Sequence, residues 1–105
     1  MGKPFIHLHN HTEFSALDGL TRVNELVEQA KAHGQPAIAI SDHGMLAGVP
    51  DFYKAARAND IVPILGEEFY IVKDASVQEK TKEVDTGNRH LLMHALNLKG
   101  WHFMV

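Results

Sequence analysis

The sequence predicts a single α/β domain built from parallel β-α-β units. Three observations point to this class: the predicted elements alternate in the order β-α-β-α-β-loop-β, one strand is apolar on both faces, and polar side chains follow the strands. The 105 residues are 45% hydrophobic and 22% charged, an ordinary globular balance. Four parallel strands with two helices cannot cover both faces of a sheet, and a complete parallel barrel takes about 200 residues or more. The chain therefore resembles the first half of a larger α/β barrel.

The first two predicted elements are a strand and a helix. Side chains alternate with period two over residues 4–9, which predicts a strand. Thr21 can cap the helix that follows, and Gly34 with Pro36 is a sound stop signal. The apolar residues of this helix recur at i, i+3, i+4 and i+7, and they are Val23, Leu26, Val27 and Ala30.

The middle of the chain continues the alternation. Residues 37–40 are apolar without interruption, as expected of a strand buried in a parallel sheet. Pro50 fits only the first turn of the next helix. The remaining predicted elements are a helix over residues 49–59, a strand over 61–72, an exposed polar loop over 73–88, a strand over 91–98, and a helix that begins near 99–101.

Composition excludes several classes of protein. Thirteen acidic against ten basic residues give a net charge of −3, so no global basic field attracts nucleic acid. The absence of cysteine excludes a disulfide scaffold and a thiolate zinc site, and it suits a reducing compartment. No apolar run approaches the roughly 20 residues of a membrane span, and no signal peptide opens the chain. We expect a soluble cytoplasmic domain with no membrane partner, whose one unusual feature is its eight histidines.

Three of these histidines stand close together near the start of the chain. His7, His9 and His11 alternate with period two, so an extended strand would point them to one side. The strand should end here, which would place His9 and His11 at its carboxyl-terminal mouth, where α/β barrels hold their sites. Such an imidazole pair suits zinc, manganese or iron. The alternative is a run of exposed polar residues.

A second polar motif follows the second strand directly. His43, within Ser41-Asp42-His43-Gly44, should lie at the same mouth. Asp42 could accept a hydrogen bond from an imidazole, or it could cap the next turn. The alternative is a βα turn in which Asp and Gly serve geometry alone.

The third strand carries two adjacent carboxylates, Glu67 and Glu68. A carboxylate in an apolar strand is costly unless it is paired or bound to a metal ion. Alternation places Glu68 on the same face as Gly66 and Tyr70, which favours Glu68 as a ligand. The alternative is a strand end at which both carboxylates reach water.

Weaker candidates complete the pattern. Asp18 precedes Gly19, where the geometry of a turn alone would account for an Asp. His90 and His94 share one face of the fourth strand, and either could be a hydrogen-bonded or an exposed histidine. Residues 18, 43 and 68 follow one another at intervals of 25 positions. Each βα unit therefore delivers one N or O donor to the same mouth, which predicts a multinuclear site for hard metal ions.

These motifs resemble those of the PHP (polymerase and histidinol phosphatase) domain family, in the version found in the alpha subunit of bacterial DNA polymerase III. The resemblance covers nearly the whole chain in order. The matching segments are residues 7–15 with 17–19, 41–44, 52–56, 64–70, and 90–100. Two departures are Glu67, where the polymerase branch commonly has Cys, and Pro50.

The resemblance implies a distorted (β/α)7 barrel that binds up to three divalent metal ions, zinc, manganese or iron, through nine ligands. It implies that Glu68 bridges two metal ions and that His7 lies beside the site without binding a metal ion itself. Three further ligands would come from the second half of the domain, so residues 1–105 are expected to form a partial PHP domain. The ligand positions that the resemblance assigns in this chain are His9, His11, Asp18, His43, Glu68 and His90.

The resemblance also implies a function. An intact domain of this type is a metal-dependent phosphoesterase, and in replicases it can act as a 3′–5′ proofreading exonuclease. Its partners would be a DNA 3′ end or another phosphate ester and the remainder of the polymerase alpha subunit. No carboxylate cluster for polymerase chemistry is present in the chain. Two alternatives stay open: a non-catalytic structural fragment, which could self-associate through its open barrel, and a truncated stand-alone phosphoesterase of the histidinol-phosphatase type.

Overall fold

The computed structural model describes residues 3–16, 18–71 and 89–105. Within these ranges the strands form one sheet in the order β1-β2-β3. The loop predicted over residues 73–88 lies outside the described residues. The elements are α1 (Val23–Ala32), β1 (Ala37–Ile40), α2 (Val49–Ala58), β2 (Val62–Ile71), β3 (Arg89–His94) and α3 (Leu98–Met104).

The apolar core lies between the two longer helices and the sheet. β1 is buried at all four positions, as its continuous apolar run predicts. Phe52 of α2 is completely buried, and burial of a Phe side chain contributes about 1.5–3 kcal/mol. The helical face predicted for α1 is confirmed at its buried positions. The buried core residues are Val23, Val27, Ala30, Ile38, Ile40, Val49, Phe52, Ala56 and Ile61.

The ends of the helices agree with the sequence at most positions. Gly34 follows α1 with φ +67°, a conformation that favours glycine, and Pro50 lies in the first turn of α2. The predicted cap at Thr21 is wrong. Arg22 occupies the N-cap position without a side-chain hydrogen bond, because Thr21 lies one residue further out, where its carbonyl accepts from Glu13 N at 2.9 Å.

The sheet is mixed. β1 and β2 are parallel, with Ala37 opposite Val62, and α2 connects them as a β-α-β unit predicts. β2 and β3 are antiparallel, so the prediction of an entirely parallel sheet is wrong. Ile71 pairs with Arg89, so the chain leaves and re-enters the sheet at the same end, and an antiparallel pair needs no crossover helix there.

The first segment of the chain is not a regular strand, although residues 4–9 were predicted to form one. It lies beside β1, where Ala39 N donates to His7 O at 3.1 Å and Ser41 N donates to Asn10 O at 2.9 Å. Side chains replace other bonds of a regular ladder: Asn10 Nδ2 donates to Ala39 O, and Asn10 N donates to Ser41 Oγ, both at 2.9 Å. The segment is therefore held against β1 partly by side chains, and the backbone ladder is interrupted.

Candidate metal centre

The end of β1 and the middle of β2 meet beside the first segment. An isolated parallel bridge joins His43 to Glu68, with Glu68 N donating to Asp42 O and Gly44 N donating to Glu68 O, both at 3.0 Å. The bridge fixes the backbones of two predicted ligands side by side.

The buried carboxylate of Asp42 anchors the first segment at this edge. It accepts hydrogen bonds from Thr12 N at 2.5 Å and from Thr12 Oγ1 at 2.8 Å. Ser15 Oγ accepts from His43 N at 3.0 Å. Asp42 thus contacts the residue next to His11, and these bonds hold His11 and His43 in a common frame. Thr12 and Ser15, both buried, were not singled out from the sequence, although they lie within residues 7–15, the first segment of the family resemblance.

Gly19 allows the turn that carries Asp18 to pack against the first segment, near His11. A Cβ atom on Gly19 would lie 2.2 Å from Thr12 O, so only glycine allows the turn to pack against the first segment here. Gly19 N also donates to Ser15 O at 3.0 Å. The Asp18-Gly19 pair therefore serves both turn geometry and the placement of a carboxylate.

Glu68 stands at the centre of the side chains. Its Oε2 atom is 2.6 Å from His9 Nε2, 2.7 Å from His11 Nε2 and 3.6 Å from His43 Nε2. Its other oxygen, Oε1, is 3.3 Å from His90 Nδ1. The two oxygens thus face different imidazoles, which is the arrangement that a bridging carboxylate requires.

Asp18 provides a second carboxylate, which faces two of the same imidazoles. Its Oδ2 atom is 2.5 Å from His43 Nε2 and 3.0 Å from His11 Nδ1. The structure thus brings together all six side chains predicted as ligands. We call them the histidine–carboxylate cluster: His9, His11, Asp18, His43, Glu68 and His90.

The cluster contains three groups in which three donor atoms lie within 4.8 Å of one another. The ligands of a tetrahedral zinc ion, about 2.1 Å from the metal, lie about 3.4 Å apart, so this spacing fits a metal ion. Glu68 has two oxygens and can serve two ions, whereas a neutral imidazole has one free lone pair. The three groups are His9 with His11 and Glu68, His11 with Asp18 and His43, and His43 with Glu68 and His90.

The pKa of Glu68 reflects this environment. Burial raises its pKa, but hydrogen bonds with His9 and His11 and the charges of His43 and His9 outweigh that effect and lower it from 4.5 to about 2. The carboxylate is therefore ionised throughout the physiological range. For the neighbouring Glu67, burial raises the pKa.

Four of the eight histidines lie outside the three groups, among them His7 and His94. His7, predicted to lie beside the site without binding metal, packs its ring edge-on against Phe5 at 4.7 Å between centroids. His94 Nε2 lies 2.6 Å from the carbonyl oxygen of Leu8, which holds the first segment against β3.

An open cavity of about 430 Å³ borders the cluster and is lined in part by His9, His11 and Asp18. It gives a bound molecule access to the donor atoms. A larger cavity of about 620 Å³ lies between α1 and α2, and no residue of the cluster lines it.

Comparison with known proteins agrees with the resemblance found in the motifs. The profile of the PHP domain family matches residues 7–105. The chain is 45% identical over 105 residues to DNA polymerase III subunit alpha of Aquifex aeolicus and 38% identical over 104 residues to that of Thermus aquaticus. These matches cover 95% and 96% of this chain but only 9% and 8% of the two relatives.

Among solved structures, the chain is similar to a candidate metal-dependent phosphoesterase from Bifidobacterium adolescentis. The TM-score is 0.59 with 35% sequence identity, over 71% of this chain and 26% of the other. Among the described residues, no helix has the length and apolar character needed to span a membrane.

Proposed function

This chain belongs to the PHP domain family, and we propose that its histidine–carboxylate cluster binds divalent metal ions for the hydrolysis of phosphate esters. One observation carries the proposal: the buried carboxylate of Glu68 directs its two oxygens at different imidazoles, with Oε2 2.6 Å from His9 Nε2 and Oε1 3.3 Å from His90 Nδ1. An ionised carboxylate shared by imidazoles from several segments of the chain is a donor set suited to divalent metal ions.

The donor set limits which ions fit. Imidazole nitrogens and carboxylate oxygens suit zinc, manganese and iron alike, and the chain has no thiolate to offer. The residues that would hold the ions are the six of the cluster.

The chemistry follows from these residues. When bound, clustered divalent ions lower the pKa of a coordinated water and neutralise phosphoryl oxygens during displacement. The protein's part is to keep Glu68 ionised, to hold His11 and His43 through Thr12 and Ser15, and to leave the cavity beside His9 open for the ester.

The relatives suggest the larger setting. The chain is homologous to the PHP region of DNA polymerase III alpha subunits, and it spans about a tenth of their length. We propose that it acts as the PHP part of such a replicative protein, on a DNA 3′ end, with the sheet forming part of a distorted barrel. Large apolar side chains that stay exposed on and before α3 agree with packing against another part of a longer protein: Leu96, Leu98 and Phe103.

Metal content per folded chain tests the proposal. After dialysis of the 105-residue protein against trace Mn²⁺ and Zn²⁺, we expect about two ions per chain by elemental analysis, as in two-metal phosphoesterase sites. His9→Ala should lose metal, whereas the matched control His33→Ala, an exposed histidine at the end of α1, should keep it.

Circular dichroism on the same samples decides how a low metal content is interpreted. Near-zero metal in a folded wild-type chain would overturn metal binding and leave a structural role. If metal binds, release of nucleotides from a primer 3′ end, compared with phosphate release from a monoester, tests the proposed substrate in the longer protein.

A further inference from the structure

We infer that Tyr70 is a positioning residue for His43 and His90, the two imidazoles that share Glu68 in one of the three metal-binding groups. The inference rests on the proposed metal-binding function, since it concerns how ligands of that site are held. Tyr70 is not itself a predicted ligand, and it belongs to none of the three groups.

The ring of Tyr70 contacts both imidazoles. It stacks on His43 with 6.0 Å between centroids and 29° between planes. It meets His90 edge-on at 5.0 Å and 77°. Tyr70 lies opposite His90 in the β2–β3 register, and alternation along β2 puts it on the same face as Glu68. The backbone therefore delivers the aromatic ring to the cluster.

Gly44 makes room for the ring. A Cβ atom at Gly44 would lie 2.6 Å from Tyr70 Cε2 and 3.1 Å from Cδ2, and Gly44 has φ +61°. The tyrosine ring is thus confined between the backbone at Gly44 and the two imidazoles. A side chain confined on these sides can in turn hold His43 and His90 in place.

His43 needs such a restraint because its second nitrogen is not hydrogen-bonded. A metal-binding histidine is usually oriented by a hydrogen bond at its other ring nitrogen. Among the described residues, the buried Nδ1 of His43 has no hydrogen-bond partner, while Nε2 faces Asp18 and Glu68. Ring packing therefore takes the place of that hydrogen bond, and besides the stacked Tyr70 it comes from the neighbouring imidazoles of His11 and His90, at 4.3 and 4.6 Å.

Because Tyr70 is largely exposed, a positioning role for it can be distinguished experimentally from a structural role. The residue is 52% exposed, so truncation of its side chain leaves no enclosed cavity in the core. A purely structural tyrosine at this site would change metal affinity little. A positioning tyrosine would change metal affinity while the melting temperature stays nearly constant.

Zinc titration by calorimetry on the full chain tests the inference. We expect Tyr70→Ala to weaken Zn²⁺ binding about 10- to 100-fold at one of the sites, the effect typical of a residue that orients a metal ligand. Tyr70→Phe should restore wild-type affinity, since the contacts are made by the ring. Tyr53→Ala is the matched control, because Tyr53 is 48% exposed on α2 and belongs to none of the ring pairs described for the cluster.

The outcomes separate this inference from the proposed function. Absence of both Zn²⁺ and Mn²⁺ binding in the wild type overturns the proposed function and the inference with it. A wild type that binds Mn²⁺ alone is compared with Tyr70→Ala by Mn²⁺ titration instead. Zinc binding that is equal in wild type and Tyr70→Ala overturns the inference alone. If Tyr70→Ala unfolds, Tyr70→Leu replaces it: the leucine keeps apolar bulk without a planar ring, and wild-type affinity in that variant overturns the inference.

Discussion

The pKa values of two neighbouring carboxylates, on opposite faces of β2, shift in opposite directions. Glu67 and Glu68 are adjacent and almost equally buried, at 6% and 8% exposure. Burial raises the pKa of Glu67. At Glu68 burial acts in the same direction, but the imidazoles around it outweigh burial and bring the pKa down to about 2. Equal burial therefore gives opposite shifts, and the partners on each face decide the sign.

This contrast identifies the charge-binding face of the strand. On the Glu68 face, a carboxylate stays ionised in a buried position because positive or hydrogen-bonding groups compensate its desolvation. On the Glu67 face, which lies opposite Met93 in the register, the ionised form is penalised. A cation site is therefore expected on the first face and not on the second.

The largest expected effect is on metal affinity. Glu68→Gln keeps the size of the side chain but removes its charge, and Glu68 belongs to two of the three groups. We expect Zn²⁺ affinity to fall at least about 100-fold, more than for loss of a residue that only orients a metal ligand. Glu67→Gln is the matched control on the other face and should stay within about twofold of wild type. Equal losses in the two variants, measured by calorimetry, would remove the distinction between the faces.

Much of this fold and of this cluster follows from the sequence. The continuous apolar run of β1, the helical spacing of α1 and Pro50 at the start of α2 are local signals, and each predicted its element. Five of the cluster residues could be grouped because parallel strands in β-α-β units end at the same edge. His90 was assigned only through the family resemblance, and it lies on the antiparallel strand β3. Alternation along β2 also separated Glu68 from Glu67.

The errors share a physical cause: they concern pairing between distant segments. Nothing local indicates that Ile71 pairs with Arg89, so the antiparallel direction of β3 was missed. Nor does residue type reveal that Asn10 and Ser41 replace ladder hydrogen bonds with side-chain bonds. The role of Tyr70 was missed for the same reason, because its contact with Gly44 exists only in the folded sheet.

A smaller effect should appear in the acid stability of the metal-free chain. The folded pKa of Glu68 is about 2 against 4.5 in the unfolded chain, so its stabilising contribution is complete above about pH 4.5 and is lost as pH falls towards 2. At 1.36 kcal/mol per pKa unit the contribution is at most about 3 kcal/mol. Chemical denaturation of wild type and Glu68→Gln between pH 2 and 6 should give curves that diverge as pH rises. Parallel curves would show that Glu68 has an ordinary pKa and that its imidazole contacts are absent without metal.

The smallest expected effect lies on the other face and has the opposite sign. The folded pKa of Glu67 is raised, so its ionised form costs stability, and this cost grows as pH rises through the folded pKa. Glu67→Gln removes the cost and should raise the melting temperature at pH 7; in a 100-residue domain each 1 kcal/mol of stability shifts the midpoint by about 4–8 °C. At pH 4 the Glu67 side chain is largely neutral, like the glutamine that replaces it, and the difference in melting temperature should vanish.

A Glu67→Gln variant that is less stable than wild type at pH 7 would mean that the Glu67 carboxylate has a charged partner of its own. The contrast between the two faces of β2 would then no longer hold.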